Sequence, residues 1–124
     1  MELETVQAWL DAYVQAWRTN DPEDARRLFA EDAAYYTNPF AEPVKGVDEI
    51  VRWWTVDPDP EGSWQCDYRA LAVDAHLGVG RGWTKYLDET RSSVDREYAN
   101  IFVVEFDDEG RCTEFTEWFM KRKS

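Results

Sequence analysis

Apolar residues recur at intervals of three and four along the first twenty positions, the spacing of one face of an α-helix. The recurring residues are Val6, Trp9, Leu10, Tyr13, Val14 and Trp17. The pattern predicts an amphipathic helix over residues 5–19 with a largely aromatic buried face.

Three further elements are predicted before the middle of the chain. Asp21 followed by Pro22 is typical of a helix start, because Asp caps free backbone N–H groups and Pro suits the first helical position. A short helix is therefore expected over residues 22–30. Residues 33–38 then indicate a strand ended by a proline, and residues 46–54 a third helix.

The second half of the chain changes from a helical period to the alternation of strands. Strands are predicted over residues 63–73, 77–88, 94–106 and 111–121, each rich in aromatic or β-branched residues. The short turns between them predict an antiparallel meander. The fold class is therefore α+β, with three helices covering one face of the sheet, in one domain over residues 1–124.

Charge and hydropathy exclude two classes of partner. The chain has 14 Lys and Arg against 26 Asp and Glu, a net charge of −12, so a phosphate backbone or an anionic membrane surface would be repelled. The longest apolar runs are about four residues, far below the roughly 20 that cross a bilayer. We expect no nucleic-acid partner and no membrane partner.

The start of the chain and its metal-binding residue types narrow the expectations further. Residues 1–4 are acidic and lack the features of a signal peptide, so a cytoplasmic location is expected. The only cysteines are Cys66 and Cys112, and His76 is the only histidine, which leaves no spacing for a metal site. Residues 78–82 imitate a dinucleotide-binding glycine motif, but strand-like residues follow where a helix is needed. We expect neither a metal nor a cofactor.

Several short segments, in their order and spacing, carry a resemblance to a known family. They are residues 13–17, 20–21, 28–33, 38–39, 46–54 and 106–111. The chain resembles the nuclear transport factor 2-like superfamily, in particular its SnoaL-like and ketosteroid isomerase-like members. The resemblance implies a cystatin-like cone, in which a strongly bent antiparallel sheet surrounds a pocket closed by the first helices. It also implies dimerisation through the convex face of the sheet.

The resemblance can be carried onto individual residues, with two departures. Ketosteroid isomerases have a tyrosine on the first helix, and Tyr13 matches it with similar neighbours. Asn38, beside Pro39, stands where their aspartate base would be, and an amide cannot accept a proton at neutral pH. Phe102 falls where their second oxyanion donor would be. Steroid isomerisation by that mechanism is therefore not expected.

Glu117 is the leading candidate for proton transfer. Alternation places it on the same face of the last strand as Phe115 and Phe119, and the resemblance turns that face toward the pocket. Burial among aromatic rings would raise its pKa above the ordinary value of about 4.3, toward the range of a general acid or base. The alternative is a position near the rim, in an ion pair with Arg81 or Arg96.

Other candidates would place the substrate. Tyr13 could donate a hydrogen bond to a developing oxyanion, or could serve packing alone. Asn100 could orient a ligand carbonyl or hydroxyl, or could bond to the backbone of the bent sheet. The whole set of expected substrate-binding residues is Asn100, Trp17, Tyr36, Asn38, Trp54, Trp64, Tyr98, Phe102, Phe115 and Phe119.

Two functions from different classes remain open at this point. One is a cofactor-independent acid/base enzyme, an isomerase, dehydratase or cyclase, acting on a small, largely apolar organic molecule. The other is a non-catalytic ligand-binding or accessory protein with the same fold. Either is expected to be a homodimer, because Ile101, Val103, Trp118 and Met120 would otherwise leave an apolar patch in water.

Overall fold

The computed structural model of the protein describes residues 1–123. In chain order the elements are α1 (Leu3–Thr19), α2 (Pro22–Arg26), β1 (Phe29–Tyr36), β2 (Val44–Lys45), α3 (Val47–Val56), β3 (Trp64–Asp74), β4 (Leu77–Leu87), β5 (Val94–Phe106) and β6 (Cys112–Lys121).

The six strands form one mixed sheet in the order β2-β1-β6-β5-β4-β3. The strands from β3 to β6 are the predicted antiparallel meander. β1 instead runs parallel to β6, which a sequence pattern alone does not reveal. The α+β class and the cone fold, with three helices on the sheet, are confirmed.

The segment between α2 and β1 differs from the prediction. Helix α2 ends at Arg26, and the strand begins at Phe29 rather than continuing as helix to residue 30. The cause is tertiary, because Cys112 of β6 donates its backbone N–H to the Leu28 carbonyl at 2.8 Å and thereby starts the ladder early. β2 was not predicted, since two residues carry no readable period.

Helix α1 packs directly on the backbone of β4. A Cβ atom at Gly78 would meet Val6 at 2.8 Å, and one at Gly80 would meet Leu10 at 2.9 Å. The glycine motif therefore serves close packing, as its strand context indicated. This contact fixes the aromatic face of α1 over the inner face of the sheet.

Packed rings form the centre of the core. Phe115 is fully buried and stacks on Tyr35 with ring centroids 4.5 Å apart and on Tyr13 with centroids 5.4 Å apart. Phe102 lies edge-on to Tyr68 at 4.7 Å. In the described part of the chain, no helix is both long and apolar enough to cross a membrane.

Candidate functional site

A cavity of about 470 Å³ lies between the inner face of the sheet and helices α1 and α3. This volume suits a small organic molecule. Its inner wall, which we call the polar end, is Tyr13, Tyr35, Tyr68, Thr84, Asn100 and Glu117. Its outer wall, which we call the rim, is Trp17, Asn20, Trp53, Trp54, Val56, Asp57, Pro58, Asp59, Tyr86, Arg96, Tyr98 and Phe119.

The strand register explains how four polar side chains of the polar end come together. Asn100 is paired with Phe119, and Phe102 with Glu117, so Asn100 and Glu117 are diagonal neighbours on one face. Asn100 Nδ2 donates to Glu117 Oε2 at 2.6 Å. Thr84 Oγ1 donates to Asn100 Oδ1 at 2.8 Å and lies 2.5 Å from the Tyr68 hydroxyl.

Burial dominates the acidity of Glu117. Loss of hydration raises its pKa to about 7, although the hydrogen bond from Asn100 acts in the opposite direction. Among residues 1–123, no arginine or lysine forms an ion pair with this carboxyl. Arg96 instead donates to the Tyr98 hydroxyl at 3.2 Å and lies 4.0 Å from the centre of the Tyr86 ring.

Two tyrosines face each other at the polar end. The hydroxyls of Tyr13 on α1 and Tyr35 on β1 are 2.8 Å apart, and both side chains are buried. Burial, together with the nearby Glu117 charge, raises the pKa of both phenols, so they stay protonated. Only one hydroxyl hydrogen is used between them, which leaves the other free for a ligand oxygen.

The rim is aromatic and partly exposed. Trp17 stacks on Trp64 with ring centroids 3.5 Å apart and donates its indole N–H to Asp59 at 3.0 Å. Trp54 donates to the Ala16 carbonyl at 3.2 Å, which ties α3 to α1 beside the cavity. These contacts hold the rings in place at the entrance.

The structure brings most of the predicted site residues to one place. Those that line the cavity are Tyr13, Trp17, Trp54, Tyr98, Asn100, Glu117 and Phe119. Trp64, Phe102 and Phe115 lie behind the wall and support it.

Tyr36 and Asn38 lie outside the cavity wall. The inward residues at this end of β1 are Ala33 and Tyr35, and Tyr36 falls on the opposite face. Asn38 follows the end of the strand, and its Oδ1 accepts the Phe40 backbone N–H at 2.9 Å within a turn.

The sequence analysis missed eleven residues of the cavity wall. Five of them lie on strands of the sheet: Tyr35, Tyr68, Thr84, Tyr86 and Arg96. The other six lie on or next to the helices: Asn20, Trp53, Val56, Asp57, Pro58 and Asp59. A signal for Thr84 and Tyr86 existed, since alternation places both on the same face of β4 as the glycines that meet α1. Tyr35 had no such signal, because alternation separates it from Tyr36 but does not say which of the two tyrosines faces inward.

The polar end of the cavity has groups that suit acid/base chemistry. Within residues 1–123, no cluster of three or more His, Cys, Asp or Glu side chains could hold a metal ion. The polar end instead combines a carboxyl that is half ionised near neutral pH with a free phenol hydrogen. Such a pair can move a proton on a molecule whose oxygen is held by the phenol.

Two solved structures have the same fold as this chain. A candidate ketosteroid isomerase from Kribbella flavida superposes with a TM-score of 0.73 at 20% identity, covering 98% of this chain and 82% of that protein. An NTF-2 like protein of unknown function from Burkholderia xenovorans gives a TM-score of 0.73 at 16% identity, covering 98% of this chain and 87% of that protein. No match to the chain was found among curated proteins.

Comparison of the sequence with models of protein families identifies the family of this chain. Residues 10–115 match the SnoaL-like domain family. This segment holds α1 from its middle onward and every strand up to the centre of β6, and so most of the cavity wall. The chain therefore belongs to the SnoaL-like domain family.

Proposed function

We propose that the protein is a cofactor-independent acid/base enzyme of isomerase or lyase type that acts on a small, largely apolar organic molecule. The observation that carries this proposal is the Glu117 carboxyl, which has a pKa raised to about 7 inside an aromatic cavity. A group with such a pKa is both a usable base and a usable acid near neutral pH.

The polar end gives each group a role. A substrate carbonyl oxygen accepts the free hydroxyl hydrogen of the Tyr13–Tyr35 pair. Ionised Glu117 takes a proton from a carbon next to the carbonyl, and the C–H electron pair moves toward the oxygen, where the phenol stabilises the enolate. Return of that proton to another carbon gives an isomer. Loss of a β-hydroxyl group, protonated by Glu117, gives a dehydrated product and water.

This arrangement differs from the ketosteroid isomerase pattern. The proton carrier is on the last strand, whereas an amide, Asn38, stands at the position of the usual base and makes a turn. The Kribbella neighbour supports the fold alone at 20% identity. We therefore propose the class of reaction and not a steroid substrate.

A non-catalytic ligand-binding protein is the second candidate, and one observation favours it. Glu117 is the single carboxyl at the polar end, and the nearest acids of the described wall, Asp57 and Asp59, belong to the exposed rim. Asp59 already accepts a hydrogen bond from Trp17. A binder needs no second acid, whereas some lyases do.

Hydrogen exchange tests the proposal before the natural substrate is known. A panel of small cyclic ketones and enones is incubated with the protein in D₂O, and deuterium uptake next to the carbonyl is followed by NMR. We expect Glu117→Gln to slow exchange by about 10² to 10⁴. The matched control is Glu114→Gln, an exposed carboxyl on the outer face of the same strand, which should exchange like the wild type.

Each outcome decides between the two candidates. Exchange that is unchanged in Glu117→Gln would remove Glu117 as proton carrier. If compounds of the panel bind but none of them takes up deuterium, the non-catalytic ligand-binding protein is favoured. Dimerisation through the outer face of the sheet and a cytoplasmic location are part of the proposal.

A further inference from the structure

Four side chains from four adjacent strands, three of them buried and that of Glu117 half-buried, form a continuous hydrogen-bonded line on the inner face of the sheet. They are Tyr68 of β3, Thr84 of β4, Asn100 of β5 and Glu117 of β6. The line runs diagonally, because the register pairs Tyr68 with Gly82, and Gly82 with Asn100. Gly82 has no side chain, so Thr84 can reach both neighbours.

The number of hydrogen atoms that each group can donate fixes the donor and the acceptor of every hydrogen bond in this line. An ionised carboxylate only accepts hydrogen bonds, so Asn100 must present Nδ2 to Glu117, and its Oδ1 then faces Thr84. Thr84 has one hydroxyl hydrogen, and Asn100 Oδ1 takes it. The remaining bond, of 2.5 Å, must therefore be donated by Tyr68.

We propose that Tyr68 and Thr84 are positioning residues that hold the Asn100 amide in one orientation, so that Glu117 exchanges its proton with substrate only through Oε1. Oε2 is committed to Asn100 at 2.6 Å. Oε1 has no hydrogen bond within the described part of the chain, and the Glu117 side chain lines the cavity. This inference rests on the proposed proton-carrying role of Glu117, but its test does not require turnover.

The other titratable or charged groups around Glu117 are four phenols and three side chains at the rim. The phenols that sense its charge are Tyr13 of α1, Tyr35 of β1, Tyr68 of β3 and Tyr86 of β4, and the pKa of each is raised. The charged groups of the described cavity wall are Arg96, Asp57 and Asp59, all at the rim. The raised pKa values keep the four phenols neutral and Arg96 charged near pH 7.

The direct test follows the Glu117 carboxyl carbon by ¹³C NMR titration in single variants. Thr84→Val keeps the shape of the side chain but removes the hydroxyl, which frees the Asn100 amide to turn its oxygen toward a protonated Glu117. The neutral form gains and the ionised form loses a hydrogen bond, so we expect the pKa of Glu117 to rise by about one, a tenfold fall in its dissociation constant.

Two controls separate orientation from general disturbance. Thr84→Ser retains the donor, so the pKa of Glu117 should return to the wild-type value. Thr116→Val changes the same residue type next to Glu117 but on the outer face, and should leave that pKa unchanged. A rise in Thr84→Ser equal to that in Thr84→Val, or no rise in Thr84→Val, would overturn the proposal.

A measurement on the wild-type protein keeps the test valid if Thr84→Val does not fold. One Asn100 side-chain amide proton should move downfield as Glu117 ionises, with the same midpoint as the carboxyl carbon. An Asn100 amide that does not follow the carboxyl would show that Nδ2 does not face it, and the proposal fails. If no ketone is turned over but the Glu117 carboxyl carbon and the Asn100 amide proton titrate together as expected, only the proposed function is contradicted.

Discussion

On β5 and β6, each face of the sheet holds a local exception to the usual distribution of polar residues outside and apolar residues inside. The inner face holds the buried amide of Asn100, which donates a hydrogen bond to the carboxyl of Glu117. The outer face of the same strands holds Trp118, 45% exposed, and Met120, 75% exposed. Burying a polar group and exposing large apolar ones both cost stability, so neither face is explained by folding alone.

Each exception fits one part of the proposed function. On the inner face the polar groups are satisfied by one another except at points that open into the cavity. The outer face has apolar side chains, which we call the outer patch, on three strands: Trp83, Ile101, Val103, Trp118 and Met120. The first arrangement suits a small molecule and the second suits a protein surface.

The largest expected effect separates packing on the two faces. Phe115→Ala removes a fully buried ring that stacks on Tyr13 and Tyr35, and should lower the free energy of unfolding by about 3 to 5 kcal/mol. Trp118→Ala on the outer face should cost less than about 1 kcal/mol at concentrations where the protein is monomeric. Urea denaturation measures both, and equal losses would contradict the assignment of faces.

The next effect concerns the outer patch. If it joins two copies, Trp118→Glu places two charges in an apolar contact and should weaken the dimer by at least about 100-fold. Sedimentation equilibrium at micromolar concentration gives the mass of wild type and variant. A wild-type protein that is monomeric under these conditions would remove the dimer from the proposal.

A smaller effect concerns the stability of the inner face against pH. The native pKa of Glu117, about 7, is above its ordinary value of 4.5, so the native protein holds a proton that the unfolded chain releases between these values. Wild-type stability should therefore fall as the pH rises through this window. Glu117→Gln should be more stable than wild type by about 2 to 3 kcal/mol at pH 8 and nearly equal at pH 4.

The control for that measurement is Glu89→Gln, a carboxyl in an exposed turn. Its stability difference from wild type should be the same at both pH values. Chemical denaturation at several pH values is sufficient. A Glu117→Gln advantage that does not depend on pH would mean that the carboxyl is not desolvated.

The smallest effect concerns the tyrosine pair. Tyr13→Phe removes one hydroxyl, but Tyr35 keeps its own and can still donate to a ligand oxygen. We therefore expect only about a tenfold loss of affinity for a carbonyl ligand, measured by tryptophan fluorescence. Tyr36→Phe, on the other face of β1, should bind like the wild type. A Tyr13→Phe variant with unchanged affinity would assign Tyr13 to packing.

The sequence predicted the elements with a strong period and the faces of the last two strands. Alternation sufficed to group Asn100 with Tyr98 and Glu117 with Phe119, because a regular strand has a period of two. Alternation does not decide between Tyr35 and Tyr36 on β1, because these adjacent tyrosines lie on opposite faces and the pattern does not say which face is inward.

The hydrogen-bond partner of Glu117 could not be predicted from the sequence, because it depends on the strand register. The sequence leaves open an ion pair between Glu117 and an arginine, whereas its partner is Asn100. Asn100 is paired with Phe119 on β6, two residues after Glu117. Whether a carboxyl meets an arginine or an amide depends on the register, and register depends on packing of the whole sheet. Thr84 and Tyr68 join the site through the same register and through the gap at Gly82.

The parallel pairing of β1 with β6 also sets an order of events in biosynthesis. β1 leaves the ribosome early, but its neighbour in the sheet is made last, and Tyr35 finds Phe115 only after some eighty intervening residues. Contacts of such long range are slow to form. Until β6 has been synthesised, Asn100 lacks the carboxylate to which it donates, and Tyr13 and Tyr35 lack the Phe115 ring on which both stack. The nascent chain therefore carries an incomplete and exposed aromatic core until the strand that bears Glu117 has been synthesised.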